Sequence, residues 1–243
     1  MTDPLYFADD LGEPWPTVGD QIALGGDDGR HAAVVRRTRP GEMVMVGDGC
    51  GRGVRGSVVA VQKTGLQVQV TELLTAPTPR RRIVAVQALA KGDRSELAIE
   101  MLTEAGVAEI VPWMASRSVV RWSGERAAKS LSRWRSTARE AAKQSRRLRM
   151  PTVHEVVSTR ELLTVIDGCD RALVLHEEAD QWLSDLAIAE RESVMIIIGP
   201  EGGIAPEELE AFTAAGANPV LISDGVLRTS TAGVVAVAGL LLR

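Results

Sequence analysis

The chain has 243 residues, 45% of them hydrophobic, and a net charge of −4 at pH 7. That is enough for one large or two small domains with real cores. No apolar run approaches the ~20 residues of a membrane span, and the acidic, proline-broken start MTDPLYFADD offers no leader-like apolar stretch, so a cytoplasmic protein is expected. Cys50 and Cys169 lack CxxC or Cys/His spacing, which argues against a disulfide framework and a metal site alike.

In chain order, Trp15 to Leu74 contains short alternating runs, EMVMV, RGSVVAV and LQVQVTEL, between glycine-rich or Lys-Thr-Gly turns. They predict a small antiparallel, barrel-like domain over residues 1–74. The glycine-rich GCGRGVRG (49–56) reads as a hairpin turn whose Arg52 and Arg55 are placed to touch RNA. TAPTPR then breaks the pattern, predicting a linker over 75–79. Over 80–243 apolar runs (IVAVQAL, VAEIVPW, RALVLHE, VMIIIG, PVLIS) alternate with helical stretches, which predicts an α/β domain with a parallel sheet covered on both faces.

Between Arg80 and Arg149 sixteen Lys/Arg face seven acids, a local +9 that leaves −13 for the remainder. A basic block in an acidic protein points to a polyanion, and RNA is the partner expected. A long helix from about Gly124 to Leu148 carries a packing stripe (Leu131, Trp134, Ala138, Ala141, Ser145, Leu148) beside a cationic ridge of Arg135, Arg139, Lys143 and Arg146. Like charges at helical spacing repel by a few tenths of a kcal/mol per pair, a cost that phosphate contacts offset. Aromatics make up only 3%, so Trp113, Trp122 and Trp134 read as core rather than as a base-stacking platform.

The stretch VMIIIGPEGGIAPEELEAF (194–212) is a strand, a glycine-rich turn and a helix. Such turns commonly cradle phosphate. Here, however, Glu201 lies in the turn and Glu207 and Glu208 follow, while GxGxxG and GxxxxGK[ST] are absent. The turn therefore suits a nucleoside-like ligand without a phosphate chain, and S-adenosylmethionine, with its cationic sulfonium, fits. Pro206 and the two glutamates after it also make a normal acidic first turn. His176 ends the RALVL strand without any G-x-S-x-G elbow to make a hydrolase. The final ISDGVLRTSTAGVVAVAGLLLR gives a loop and a helix apolar nearly all round, which is expected in a core or against a second subunit.

The blocks MIIIGPEGGIAPEE and DGVLRTSTA resemble the GPEGG and LRTETA blocks of the RsmE family of ribosomal RNA small-subunit methyltransferases, within the SPOUT class. KGDRSELAIEMLTEAGVAEIVPW, AREAAKQSRRLRMP, and His31 with VVRRTRPGEMVMVGDG resemble further blocks of that family, in the same order along most of the chain. The resemblance implies a PUA-like β-barrel, a knotted SPOUT-type domain that binds S-adenosylmethionine, and a homodimer. It also implies methylation of uridine N3 in 16S ribosomal RNA.

The cofactor pocket so implied is walled by Leu175 and His176, by Gly199, Pro200, Glu201, Gly202 and Gly203, and by Ile222, Ser223, Val226, Leu227, Arg228, Thr229, Thr231 and Ala232. Two departures from the family stand out: Ser230 replaces the usual Glu, and Ile222-Ser223-Asp224 replaces Leu-Gly. Methylating N3 requires loss of its proton and support for a uracil anion. Arg228 is the expected charge-stabilising group, with Glu201 or Asp224 as candidate bases. RNA contacts are expected at Arg52, Arg55, Lys91, Arg94, Arg139, Lys143 and Arg146. A non-catalytic RNA-binding protein, or a methyltransferase of another RNA, is the alternative.

Overall fold

The computed structural model of the protein describes residues 3–8 and 10–242. Two compact units form, Met1–Thr78 with Ala142–Met150, and Pro79–Ala141 with Pro151–Arg243.

The first unit contains β1 (Leu5–Phe7), β2 (Gln21–Leu24), α1 (Gly26–Arg30), a π-helical turn over His31–Val35, β3 (Met43–Gly47), β4 (Arg52–Gln62) and β5 (Gly65–Thr75). The sheet order is β1-β3-β4-β5-β2, with β1 parallel to β3 and the other pairs antiparallel. This is an open mixed sheet rather than a closed ring. Alternate residues Val44 and Val46, Val54 and Val58, and Leu66, Val68 and Val70 point into one core, as a half-buried sheet requires. Asp48 accepts the backbone N–H groups of Cys50 and Arg52. The hairpin turn expected at 49–56 does join antiparallel β3 and β4, but it is shorter than expected, since β4 already begins at Arg52.

Residues 142–150 also correct the expected boundaries. Leu148 and Met150 pack with Leu5, Phe7, Met45 and buried Ala142. Chain pairing reinforces this, because Gly51 N–H donates to the Leu148 carbonyl and Met150 N–H to that of Gly49. Gly53 has no side chain for a reason visible here: an added Cβ would lie 2.8 Å from both Leu148 Cδ2 and the Val46 carbonyl oxygen.

The second unit contains β6 (Ile83–Ala88), α2 (Arg94–Ala105), β7 (Glu109–Met114), α3 (Gly124–Gln144), β8 (Thr152–Val153), β9 (Val157–Ser158), α4 (Thr159–Ile166), β10 (Arg171–Leu175), β11 (Val194–Ile198), α5 (Pro206–Ala214), β12 (Asn218–Val220) and α6 (Thr229–Leu241). The last residues of α3 count with the first unit. All strand pairs are parallel, in the order β12-β10-β11-β6-β7-β8, with β9 also on β7.

The strands alternate between two cores. Ile83, Ala85, Val194, Ile196 and Ile198 face the core that also holds Ile99, Leu102, Trp134, Ala236 and Val237. Val84, Val86, Met195 and Ile197 face Leu162, Ile166 and Phe212. Both faces being covered explains why β11 reads as an unbroken apolar run. α6 lies close because it is small: a Cβ on Gly233 would stand 3.0 Å from Leu102 Cδ2 and 3.2 Å from Ile198 Cδ1. Trp113, Trp122 and Trp134 are all buried, and the last two meet edge to face.

Candidate functional site

In parallel α/β sheets ligand sites form beyond the carboxyl ends of the strands. Here three adjacent strands, β12, β10 and β11, send out the segments 221–228, 176–182 and 199–205 side by side. They enclose a cleft of about 280 Å³ lined by residues that include Leu175, His176, Glu177, Gly199, Glu201, Leu227 and Arg228. A smaller cleft of about 70 Å³ shares Leu175, His176, Glu177, Val226, Leu227 and Ala232 with it and extends to Ile222 and Ser223. Together they are of the size that takes a small organic ligand.

The walls are tied together by hydrogen bonds. His176 N–H donates to the Val220 carbonyl, and His176 Nδ1 accepts from Glu178 N–H. Thr229 Oγ1 donates to the Gly199 carbonyl at 2.7 Å and accepts from Gln87 Nε2 at 2.9 Å. Gln87 is fully buried on β6, and its other donor goes to the Ala88 carbonyl. A chain of directed bonds thus runs from the middle of the sheet through the first residue of α6 to the glycine-rich turn. Glu201 Oε1 accepts from Lys91 N–H at 3.2 Å and lies 4.0 Å from Arg94 Nη1, which joins the segment after β6 to the same turn. On the other side, Arg117 Nη1 reaches the Gly202 carbonyl at 3.4 Å.

Glu208 emerges as a residue whose part the sequence did not reveal. It is 6% exposed, and its carboxylate accepts from Ser116 N–H, Ser116 Oγ, Thr159 Oγ1 and Ala205 N–H. A buried carboxylate is tolerated when its lone pairs are met this fully. It pins the start of α5, and with it the end of the 199–205 turn, to the segment before α3 and to the first residue of α4. Its position in an acidic first turn masked this role, because Glu207 beside it is an ordinary exposed acid.

Of the residues expected around the cofactor, Gly202 and Thr231 line neither cleft; Ser230, the departure from the family's Glu, is buried in the first turn of α6. The others expected there do line one or both. Arg94, named for RNA, lines the larger cleft, as do Glu177, Ile198 and Ile204, which the motifs did not single out. Asp224 is exposed and lines neither. Arg228 is exposed at the N-cap of α6, and its guanidinium has no hydrogen bond or ion pair among the described residues. Among those residues no group of three His, Cys, Asp or Glu is arranged to hold a metal ion, and no helix is long and apolar enough to cross a membrane.

The cationic ridge is largely engaged. Lys143 Nζ is 2.7 Å from Asp28 Oδ1, with side chains 10% and 6% exposed. The expectation that Lys143 meets RNA is therefore corrected: its charge neutralises a buried carboxylate. Arg135 donates to the Val153 carbonyl and to Glu155. Arg146, at φ 54° just past the helix end, donates to the Asp3 carbonyl, and Arg139 is half-buried. Ser145 is exposed rather than packed, since α3 ends at Gln144 and the stripe stops there. In the first unit Arg52 lies 4.2 Å over the Trp15 ring and bonds Asp48, and Arg55 pairs with Asp3 and Glu72.

Residues 76–241 match the family model of an RNA methyltransferase domain. The chain is 46% identical over 97% of its length to the Ribosomal RNA small subunit methyltransferase E of Mycobacterium bovis, covering 90% of that protein. Identity to the Bacillus subtilis protein of the same name is 28%, over 90% of this chain and 89% of that one. Among solved structures, a Ribosomal RNA small subunit methyltransferase E from Neisseria gonorrhoeae bound to S-adenosyl methionine superimposes with a TM-score of 0.87 at 26% identity, over 98% of this chain and 96% of that one. A methyltransferase from Legionella pneumophila in complex with the same cofactor gives 0.86 at 27% identity, over 98% and 96%. With its cofactor-sized cleft at the carboxyl ends of a parallel sheet, the chain belongs to the ribosomal RNA small subunit methyltransferase E family.

Proposed function

We propose that the protein transfers a methyl group from S-adenosylmethionine to N3 of a uridine in 16S ribosomal RNA, acting in the cytoplasm as a homodimer. The observation that carries this reading is the cleft at 175–177, 199–204 and 226–232, in a chain of this family. Its chemistry fits the cofactor. Glu177 and Glu201 stand on its wall, which disfavours a phosphate chain and suits a cation. The Gly199 backbone is bare there, and an added Cβ would come within 2.8 Å of Ile204. Leu175, Ile198, Leu227 and Ala232 supply apolar walls and would hold the adenosine portion.

When bound, S-adenosylmethionine supplies an electrophilic methyl on its sulfonium. The chain must hold the loops, position the uridine and favour loss of its N3 proton. Arg228, exposed on the cleft and with no partner for its guanidinium among the described residues, stabilises the negative charge that spreads over N3 and the adjacent carbonyl oxygens. We assign Glu201 to holding the turn through Lys91 N–H, and His176 to joining two walls. RNA contacts are assigned to Arg52, Arg55, Lys91, Arg94, Arg139 and Arg146, which remain on the surface or half exposed.

The knotted SPOUT-type arrangement and the PUA-like character of the first unit are likewise inferred. The all-parallel sheet with adjoining 199–205 and 221–228 loops supports the first, and the open five-stranded mixed sheet supports the second. Val234, Val235 and Leu241 are only partly buried on α6, Ala238 is exposed, and Val226 is 79% exposed, which supports an apolar contact with a second copy.

Mass mapping of nucleosides in 16S ribosomal RNA treated with the protein and S-adenosylmethionine tests the reading. N3-methyluridine at one site is expected. A methyl on ribose or on a carbon, or none, refutes it.

A further inference from the structure

A separate cavity, of about 260 Å³, lies at the opposite end of the parallel sheet from the cofactor cleft. Its floor is Val84, Val111 and Met195, buried residues near the amino ends of β6, β7 and β11. Val157 of β9 and Val165 of α4 also line it and are only partly buried. The helix ends at Ile166, and Gly168 in the turn after it adds no side chain to close the space. None of the residues lining this cavity lines the two clefts described above.

The rim carries the polar groups. Glu109 Oε1 accepts from Arg82 Nε at 2.8 Å and pairs with Arg82 Nη2, and Glu109 Oε2 lies 2.8 Å from His154 Nε2. Nη1 of Arg82 takes no part in that pairing. Cys169 lines the cavity beside Arg82, and burial above all pushes its thiol up, so it carries no charge at neutral pH. A cationic ligand would find both Glu109 oxygens engaged. An anionic one would meet that carboxylate next to the guanidinium it needs. An uncharged acceptor avoids both costs, because a guanidinium N–H donates equally to a neutral carbonyl oxygen.

We propose that this cavity is a second ligand site, for a compact uncharged molecule with an apolar body and one carbonyl oxygen. An apolar cavity of about 150 Å³ takes benzene, so the larger space here admits a ring with a short substituent. The body would lie against Val84, Val111 and Met195, and the oxygen would accept from Arg82 Nη1. Such a site depends neither on the RNA substrate nor on the atom methylated.

The test uses the full chain with Cys50→Ser, which leaves Cys169 as its one thiol, and acetanilide as the probe. S-adenosylmethionine is kept saturating so that the cofactor cleft is filled. Alkylation of Cys169 by N-ethylmaleimide is followed by mass spectrometry. Acetanilide is expected to slow it saturably, by about tenfold at roughly ten times its dissociation constant. Toluene, which lacks the acceptor, and benzoate, which is charged, should protect far less. Arg82→Met is expected to weaken acetanilide about tenfold, the scale of one hydrogen bond to a charged group, and to leave protection by toluene unchanged. As a readout independent of thiol reactivity, acetanilide should raise the melting temperature of the unaltered protein, and raise that of Arg82→Met less. Unslowed alkylation together with an unmoved melting temperature overturns the site. Benzoate or toluene protecting as well as acetanilide, or undiminished protection in Arg82→Met, overturns the ligand chemistry proposed.

Discussion

Arg228, proposed above as the charge-stabilising group, is the side chain at which binding and chemistry can be separated by experiment. Its backbone is fixed, since its carbonyl accepts the N–H groups of Thr231 and Ala232 at 2.8 and 2.9 Å, while its guanidinium is left for a ligand. A group that stabilises charge developing only as N3 reacts lowers the barrier without strengthening ground-state binding. Arg228→Ala is therefore expected to slow single-turnover methyl transfer by about 10²-fold or more, with cofactor and RNA dissociation constants moving much less. Arg228→Lys recovers little, because an ammonium lacks the planar fork. A normal transfer rate in the alanine variant, both ligands saturating, removes Arg228 from the chemistry. At this scale the sequence was informative where a motif coincides with a turn, as at Gly199 to Gly203. It was silent on Glu208 and Gln87, whose partners lie 92 and 142 residues away in the chain. It misassigned Lys143, because a lysine on a helical ridge reads as solvated until Asp28 is seen beneath it.

Among the elements, α4 illustrates how local signals hold the site from a distance. Ser158 and Glu161 form a reciprocal capping box at its start: Ser158 Oγ accepts from Glu161 N–H, and the Glu161 carboxylate accepts from Ser158 N–H and Oγ. The next residue, Thr159, donates to Glu208 at 2.6 Å and accepts from Trp113 Nε1 at 3.1 Å. Ser158→Ala is expected to cost about 1 kcal/mol by denaturant unfolding at neutral pH. The same hydrogen bonds, the backbone one foremost, hold the Glu161 carboxyl below the usual glutamate range. A depressed carboxyl contributes stability above its unfolded value and loses it as pH falls through the folded value. The difference between the two proteins should therefore shrink as the solution is acidified through that window. A gap that stays constant down to pH 3 would detach the cap from Glu161. The β11-turn-α5 unit is plain in the sequence, whereas the cap of α4 was not singled out there. By contrast β1 and β2, of three and four residues, carry too few positions for alternation to show, and each depends on pairing with a distant strand.

For the molecule as a whole, the division into two units could be read from the change of pattern near residue 75, but not the return of 142–150 to the first unit. That segment looks continuous with α3, and only the three-dimensional neighbours of Leu148, Met150 and Lys143 reveal where it belongs. A fragment ending at Thr78 would keep all five strands of the first sheet yet lose those neighbours. Asp28, 5% exposed, would retain the Phe7 N–H at 2.8 Å but lose the Lys143 ammonium. Removing one partner of a buried ion pair typically costs about 3–5 kcal/mol, and the apolar contacts of Leu148 and Met150 with Leu5, Phe7 and Met45 would go as well. A unit of this size has little stability to spare. The fragment 1–78 is therefore expected to show no cooperative thermal transition by circular dichroism at pH 7. In the full chain, Lys143→Met should unfold more readily than the parent, while Asp28→Asn with Lys143→Met should recover part of the loss by removing the stranded charge. A cooperative transition in the fragment at the parent's melting temperature would place the stability of the first unit in its five strands alone.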